Sequence, residues 1–222
     1  MSPDPSFRPT LLPLGDAALL IRFADALSEP ANRAAIALGR ALLAAPPQGV
    51  LEIQPSLVSV LLRYDPRRTR FADLAGEIRL RVGSLPPAEA ESPVTHEIAI
   101  AYGGPDGPDL KEVLAATGLT RSGFLSAHAA GPLRVLATGF APGFVYCGFH
   151  PEPLHLPRRQ AVRRSVPAGS VLFAAGQTAI AATAIPTGWH VIGRTDLRNF
   201  DPAREPVTRL APGDLVAFRS VP

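Results

Sequence analysis

The chain has 222 residues, a formal net charge of +3 and a charged fraction of 18%, against the roughly 25% usual for soluble domains. Its 46% hydrophobic content is enough for a core, so general disorder is excluded despite 25 Pro and 19 Gly. Residues 1–92 hold ten Arg and ten acids, whereas residues 93–222 hold eleven Arg, one Lys and nine acids, so the excess charge lies in the second part.

In chain order, a strand is expected over 17–23, after the turn at Gly15-Asp16. Ser28-Glu29-Pro30 supplies a cap, an acid for the helix dipole and a first-turn proline for a helix over 31–45, stopped by Pro46-Pro47. Extended runs follow at 50–54 and 57–64, and Thr69 is placed to cap a helix over 70–82. Strand, helix, strand, strand, helix fits a ferredoxin-like α+β layer over residues 1–84. Residues 83–93, with three prolines and no periodicity, read as a linker. A second domain over 94–222 opens with a strand at 95–102. Asp109 is placed to cap a helix over 110–117, closed by Gly118, and Thr120 caps another over 121–130. Short extended pieces at 133–138, 170–174, 178–184, 190–193 and 214–219, with Gly or Pro between nearly all of them, predict a mainly-β barrel or sandwich.

Ser165 to Gly193 carries no charge and is long enough to cross a bilayer. Pro167, Gly169, Gly176, Pro186 and Gly188 cut it into pieces too short for a membrane helix, so buried strands are expected and no membrane. The basic residues are 21 Arg and one Lys, scattered among acids without a basic helix, which argues against nucleic acid. The N-terminus lacks the form of a signal peptide, and the single Cys suits a reducing cytoplasm. No Walker loop and no G-x-G-x-x-G is present. The five histidines lack metal-ligand spacing, so no metal is expected. Cys147 reads as a core residue before it reads as a nucleophile with His128, His150 or His190.

The segment Thr138–Gly148 interleaves Phe140, Phe144 and Tyr146 with three glycines. It is either a tight turn on the barrel or the aromatic wall of a small-molecule pocket. Arg158, Arg159, Arg163 and Arg164 border the charge-free stretch as an anion clamp or as a solvated loop. Gln177 offers an amide donor and acceptor, which matches an amide or lactam ligand. Trp189 alone decides nothing between core and site.

Gly-Phe-Ala-Pro-Gly-Phe-Val-Tyr (139–146), Pro-Arg-Arg (157–159), Val-Pro-Ala-Gly-Ser (166–170), Gly-Gln-Thr (176–178), Gly-Trp-His-Val-Ile-Gly-Arg-Thr (188–195) and Phe-Asp-Pro (200–202) follow one another in an order that resembles the B subunit of bacterial ATP-dependent 5-oxoprolinase. This family is also called KipI or allophanate hydrolase subunit 1. Tyr102-Gly-Gly, the helix bearing His128 and Tyr64-Asp-Pro66 extend the likeness over nearly the whole chain. The resemblance implies a cyclophilin-like barrel behind a ferredoxin-like domain. It implies a subunit, inactive or weakly active alone, that opens 5-oxo-L-proline to L-glutamate with ATP and with partner subunits A and C, the ATP site lying partly or wholly in a partner. It also implies a pocket lined by His128, Arg158, Arg159, Ser170, Gln177, Trp189 and Arg194. There Arg158 or Arg159 would clamp the substrate carboxylate, Gln177 would read the lactam and His128 would shuttle a proton near neutrality. Phe149 and Leu156 stand where relatives carry Gly and Thr, and are expected to reshape the mouth. Two alternatives stay open: a KipI-like inhibitor of a sensor histidine kinase, and a component of an allophanate or urea amide hydrolase.

Overall fold

The computed structural model describes residues 8–85 and 93–221, and the chain divides into two compact units, Met1–Ser92 and Pro93–Pro222. Most of the expected linker, residues 86–92, lies outside the described residues.

In the first unit β1 (Thr10–Leu14) and β2 (Ala18–Arg22) form a hairpin about Gly15, which sits at φ +58°. Helix α1 (Glu29–Ala44) follows, then β3 (Val50–Pro55), β4 (Ser59–Tyr64) and α2 (Phe71–Gly83). The sheet order is β1-β2-β4-β3, with every pair antiparallel. The strand leading into α1 thus has an outer hairpin partner that precedes it, a strand absent from the sequence-based expectation because Pro13 interrupts the run. Alternation puts Leu19, Ile21, Val60, Leu62 and Tyr64 on one face, where Ala31, Ala35, Leu38 and Leu42 of α1 and Leu74 and Ile78 of α2 pack against them. Thr69 does not cap α2: Arg70 holds that position, and its guanidinium bonds Asp73 in the first turn.

The second unit contains β5 (Thr95–Tyr102), α3 (Leu110–Thr117), α4 (Arg121–His128), β6 (Leu133–Thr138), β7 (Val145–Gly148), β8 (Arg163–Val166), β9 (Ser170–Ala174), β10 (Gln177–Ile180), β11 (Ile185–Thr187), β12 (His190–Arg194) and β13 (Leu215–Val221). Seven strands close into a barrel in the order β10-β7-β6-β13-β5-β12-β9, and β8 and β11 pair separately as a two-stranded flap. Only β5 and β13 run parallel among these pairs; chain neighbours β6 and β7, and β9 and β10, form antiparallel hairpins. The barrel closes without a sheet edge, which answers the exposure problem of short strands. Alternate residues Ile98, Ile100, Val135, Cys147, Val171, Phe173, Ile180, Ile192, Val216 and Phe218 fill its interior together with Phe124 of α4. The charge-free stretch is accounted for by β9, β10 and β12, strands buried on both faces. Within it, the strand expected over 178–184 occupies only 177–180.

Candidate functional site on the outer barrel wall

The inward and outward faces of the same strands carry different chemistry. Inside, His128 at the end of α4 is 1% exposed. Its Nδ1 lies 2.8 Å from Tyr102 Oη and its Nε2 lies 2.8 Å from Thr178 Oγ1, which is also 2.8 Å from His150 Nε2. A hydroxyl has one proton to give, so Thr178 can donate to only one of two neutral rings and must accept from the other; the two imidazoles therefore carry opposite protonation at Nε2. Rings of Phe124, Phe173 and Phe218 surround His128 with centroids 5.1–5.7 Å away. Burial, and after it the repulsion of His150, holds the His128 pKa well below its usual range. Burial and His155 lower His150 to about 4. Both rings are neutral at pH 7 and sealed from solvent, so the expectation of a proton shuttle at His128 is corrected: the ring is part of the core.

Outside, the 138–148 segment is a tight turn running into a barrel strand, with its aromatic side chains stacked on the outer face. Its C-terminal end is β7, and its first residues are a turn in which Gly139 and Gly143 take φ +134° and +68° and Phe140, unusually for an aromatic, takes φ +76°. Phe140 is 70% exposed while Phe144 is buried beneath it. Ring contacts run from Phe140 to Phe144 (5.4 Å), to Tyr146 (4.8 Å) and to Trp189 (6.0 Å), and the Arg158 guanidinium lies 5.7 Å from the Trp189 ring centre. The base of this wall is Leu172, Ala174, Ala179 and Ala181, which cluster with Phe144 and Trp189 and against which Tyr146 packs. Gln177 shares the outward face: Thr178 and Ile180 point inward, and Ala179, two residues from Gln177, sits opposite Tyr146. The Gln177 side chain is buried and its Oε1 has no hydrogen-bond partner, an acceptor facing no donor of its own chain.

The remaining expected pocket residues fall elsewhere. Arg159 is held by Glu112, with Nε 3.3 Å from Oε2, and lies 3.9 Å from Asp109. Arg163 forks onto the Asp109 carboxylate, which also accepts the Val191 N–H at 2.9 Å. Arg159 is therefore a partner of its own chain's acids, and of the expected clamp only Arg158 reaches the aromatic wall. Ser170 and Arg194 are register partners at the far end of β9 and β12. Four residues separate Ser170 from Ala174, the partner of Gln177, which is about 13 Å along a strand. Arg194 faces Asp106 at 3.9 Å. Leu156 is buried in the barrel core and does not shape a mouth. Burial pushes the Cys147 thiol up to about 12, so it is inert as a nucleophile.

Asp109 has a larger role than its position before a helix suggests. It stands at the cap position of α3 but makes no cap bond; its carboxylate is drawn sideways to β12 and to Arg163. Burial raises its pKa, and the Arg163 hydrogen bond, the Val191 N–H and the charges of Arg163 and Arg159 together lower it further than burial raises it. In the turn ahead of α3, Gly103 and Gly104 take φ +73° and +57°. Among the described residues no group of three His, Cys, Asp or Glu is placed to hold a metal ion, and no helix is long and apolar enough to cross a membrane.

This two-unit architecture defines a class. The family model described as carboxyltransferase domain, subdomain C and D, matches residues 9–210. The chain is 32% identical over 215 residues to the 5-oxoprolinase B subunit of Bacillus subtilis, covering 92% of this chain and 90% of that protein. It is 47% identical over 122 residues to the 5-oxoprolinase B subunit of Escherichia coli, covering 55% and 56% of the two. The crystal structure of TTHA0988 superposes with a TM-score of 0.80 at 37% identity over 92% of this chain, which spans 40% of that longer chain. The same fold recurs in the urea amidolyase of K. lactis at 17% identity and a TM-score of 0.76, where this chain spans 15% of the protein. The chain belongs to the family of 5-oxoprolinase B subunits, within the carboxyltransferase subdomain C and D class.

Proposed function

We propose that this chain is the B subunit of an ATP-dependent 5-oxoprolinase that, with partner subunits A and C, opens 5-oxo-L-proline to L-glutamate. The observation that carries the reading is the similarity to a 5-oxoprolinase B subunit over nine-tenths of both chains. The outer wall supports it chemically. A five-membered lactam with a carboxylate needs an apolar floor, an acceptor for its ring N–H and a cation. Trp189 with Tyr146, the orphan Gln177 Oε1 and Arg158 are those three kinds of group on one face. ATP, bound in the complex, would supply a phosphoryl group to the lactam oxygen that leaves as phosphate after water adds to the carbonyl carbon; the residues of this chain bind and orient the ring. His128 is buried in the barrel and burial holds the Cys147 thiol protonated, so neither serves as the proton-transfer group in this reading.

The test is glutamate release from 5-oxo-L-proline and ATP by the chain mixed with its A and C partners. Arg158→Ala and Gln177→Leu should each lower kcat/KM by about tenfold or more, and Arg159→Ala should act through stability alone. Release from another amide but not from 5-oxoproline would overturn the substrate, and unchanged kcat/KM in both variants would overturn the site. Phe140, an aromatic held exposed at positive φ, favours a second reading as the anchor of a protein contact such as a histidine kinase; loss of kinase inhibition in Phe140→Ser is its test.

A further inference from the structure

Away from the aromatic wall, residues 198–209 form a loop that encloses a cleft of about 380 Å³, in the size range of small-molecule sites. Arg198, Arg204 and Arg209 all line it. Among the described residues none of the three is in an ion pair, although Asp201 and Glu205 belong to the same lining. Elsewhere in this unit Arg159, Arg163 and Arg194 each have a carboxylate within 4 Å, whereas these three guanidiniums line one concavity with none so close. The backbone around them is fixed. Asn199, 1% exposed, donates Nδ2 to the Gly143 carbonyl at 2.8 Å and accepts the N–H groups of Arg209 and Leu210 on Oδ1. Phe200 bridges Thr208, and Asp201 turns one carboxylate oxygen onto the N–H of its own neighbour Ala203. His96, also in the lining, is tied to Asp214 at 3.0 Å.

From this arrangement we propose that the cleft is a binding site for a phosphate-bearing anion, held by Arg198, Arg204 and Arg209 on the Asn199-anchored loop. Guanidinium forks match tetrahedral oxyanions, and a concave site focuses their field on an approaching anion. Pro206 and Val207 give the same lining an apolar side, which suits the organic part of a phosphate ester. The site is independent of the reading of the aromatic wall, since it requires binding only. Through Asn199 and the Gly143 carbonyl it is joined to the turn that presents Phe140.

The test is calorimetric titration of the full chain at low ionic strength with inorganic phosphate, ADP and L-glutamate in separate runs. Phosphate or ADP should bind, and Arg204→Gln and Arg209→Gln should each weaken that binding about tenfold. Arg164→Gln removes an exposed charge elsewhere and should leave it unchanged. Tighter binding of ADP than of phosphate assigns the site to a phosphate ester, and equal binding to the free ion. The proposal fails if neither phosphate nor ADP binds, if L-glutamate binds in their place, if both cleft variants bind as wild type, or if Arg164→Gln loses as much as they do. Thermal melts of the variants separate a lost site from a lost fold.

Discussion

Replacing Thr178 by Val keeps the shape of a β-branched side chain inside the barrel and removes the hydroxyl shared by His128 and His150. Two buried ring nitrogens lose their partner at once. An orphaned buried polar group costs about 1–3 kcal/mol, so the variant should lose about 3–4 kcal/mol, less than twice the upper value because His128 keeps its bond to Tyr102. Thr178→Ser keeps the hydroxyl and removes one methyl, at a cost of about 1 kcal/mol. The single Trp of the chain, Trp189, is buried in the second unit, so its fluorescence reports unfolding of the barrel alone. With a urea dependence of about 1.5–2 kcal/mol/M, the midpoint of Thr178→Val should fall by about 2 M and that of Thr178→Ser by about 0.5 M. A Val variant within about 0.5 kcal/mol of wild type, or a Ser variant as unstable as the Val variant, would refute the claim that the shared hydroxyl holds the two rings.

The same two histidines set an acid limit. Their folded pKa values lie below the ordinary value, so the unfolded chain binds protons that the folded one refuses, and stability is fully present above about pH 6.5 and lost as pH falls toward the folded values. For His150, at about 4, the loss between pH 6.5 and 4 should approach about 3 kcal/mol in urea titrations at stepped pH; a flat profile would contradict the burial of neutral imidazoles. Asp109→Ala strands Arg163 and the Val191 N–H, and should cost about 3 kcal/mol, the low end for broken buried pairs because the Arg163 side chain is 34% exposed. An effect under about 1 kcal/mol in the same Trp189-monitored unfolding would make the pair a surface one. Gly143→Ala places a Cβ 2.5 Å from that of Phe200 and 2.9 Å from that of Ala182 at φ +68°, so it should cost about 2–4 kcal/mol; a neutral effect on the thermal midpoint would mean that the turn yields.

Much of the secondary structure was legible because it rests on local chemistry. Pro30 and Pro46-Pro47 bracket α1, Gly118 at φ +67° ends α3, and the Thr120 hydroxyl accepts the Gly123 N–H at the start of α4, all readable from neighbours in the chain. Strands β1, β7, β8 and β11 do not stand out in the sequence, since Pro13 interrupts β1 and the other three hold only three or four residues each. The aromatic, glutamine and arginine types of the outer wall were legible as a set, but their grouping was not. Whether Gln177 and Thr178, adjacent in sequence, face solvent-side aromatics or buried histidines depends on strand register, which a period of two reverses with each residue.

The sequence by itself determined the four helices and most of the strands, the placement of excess arginine in the second part and the family pattern carried by 139–202, because these depend on residue types and short spacings. Only the tertiary structure decided which arginines are available and which histidines are buried in the core. Arg158 and Arg159 are neighbours in the chain, yet one lies over Trp189 and the other is held by Glu112 and Asp109, 47 and 50 residues away. Likewise His128 became a core residue only when barrel closure brought Thr178 and His150 onto its ring and removed water from around it. Charge availability and desolvation are set by what surrounds a side chain in space, and that is fixed by long-range pairing.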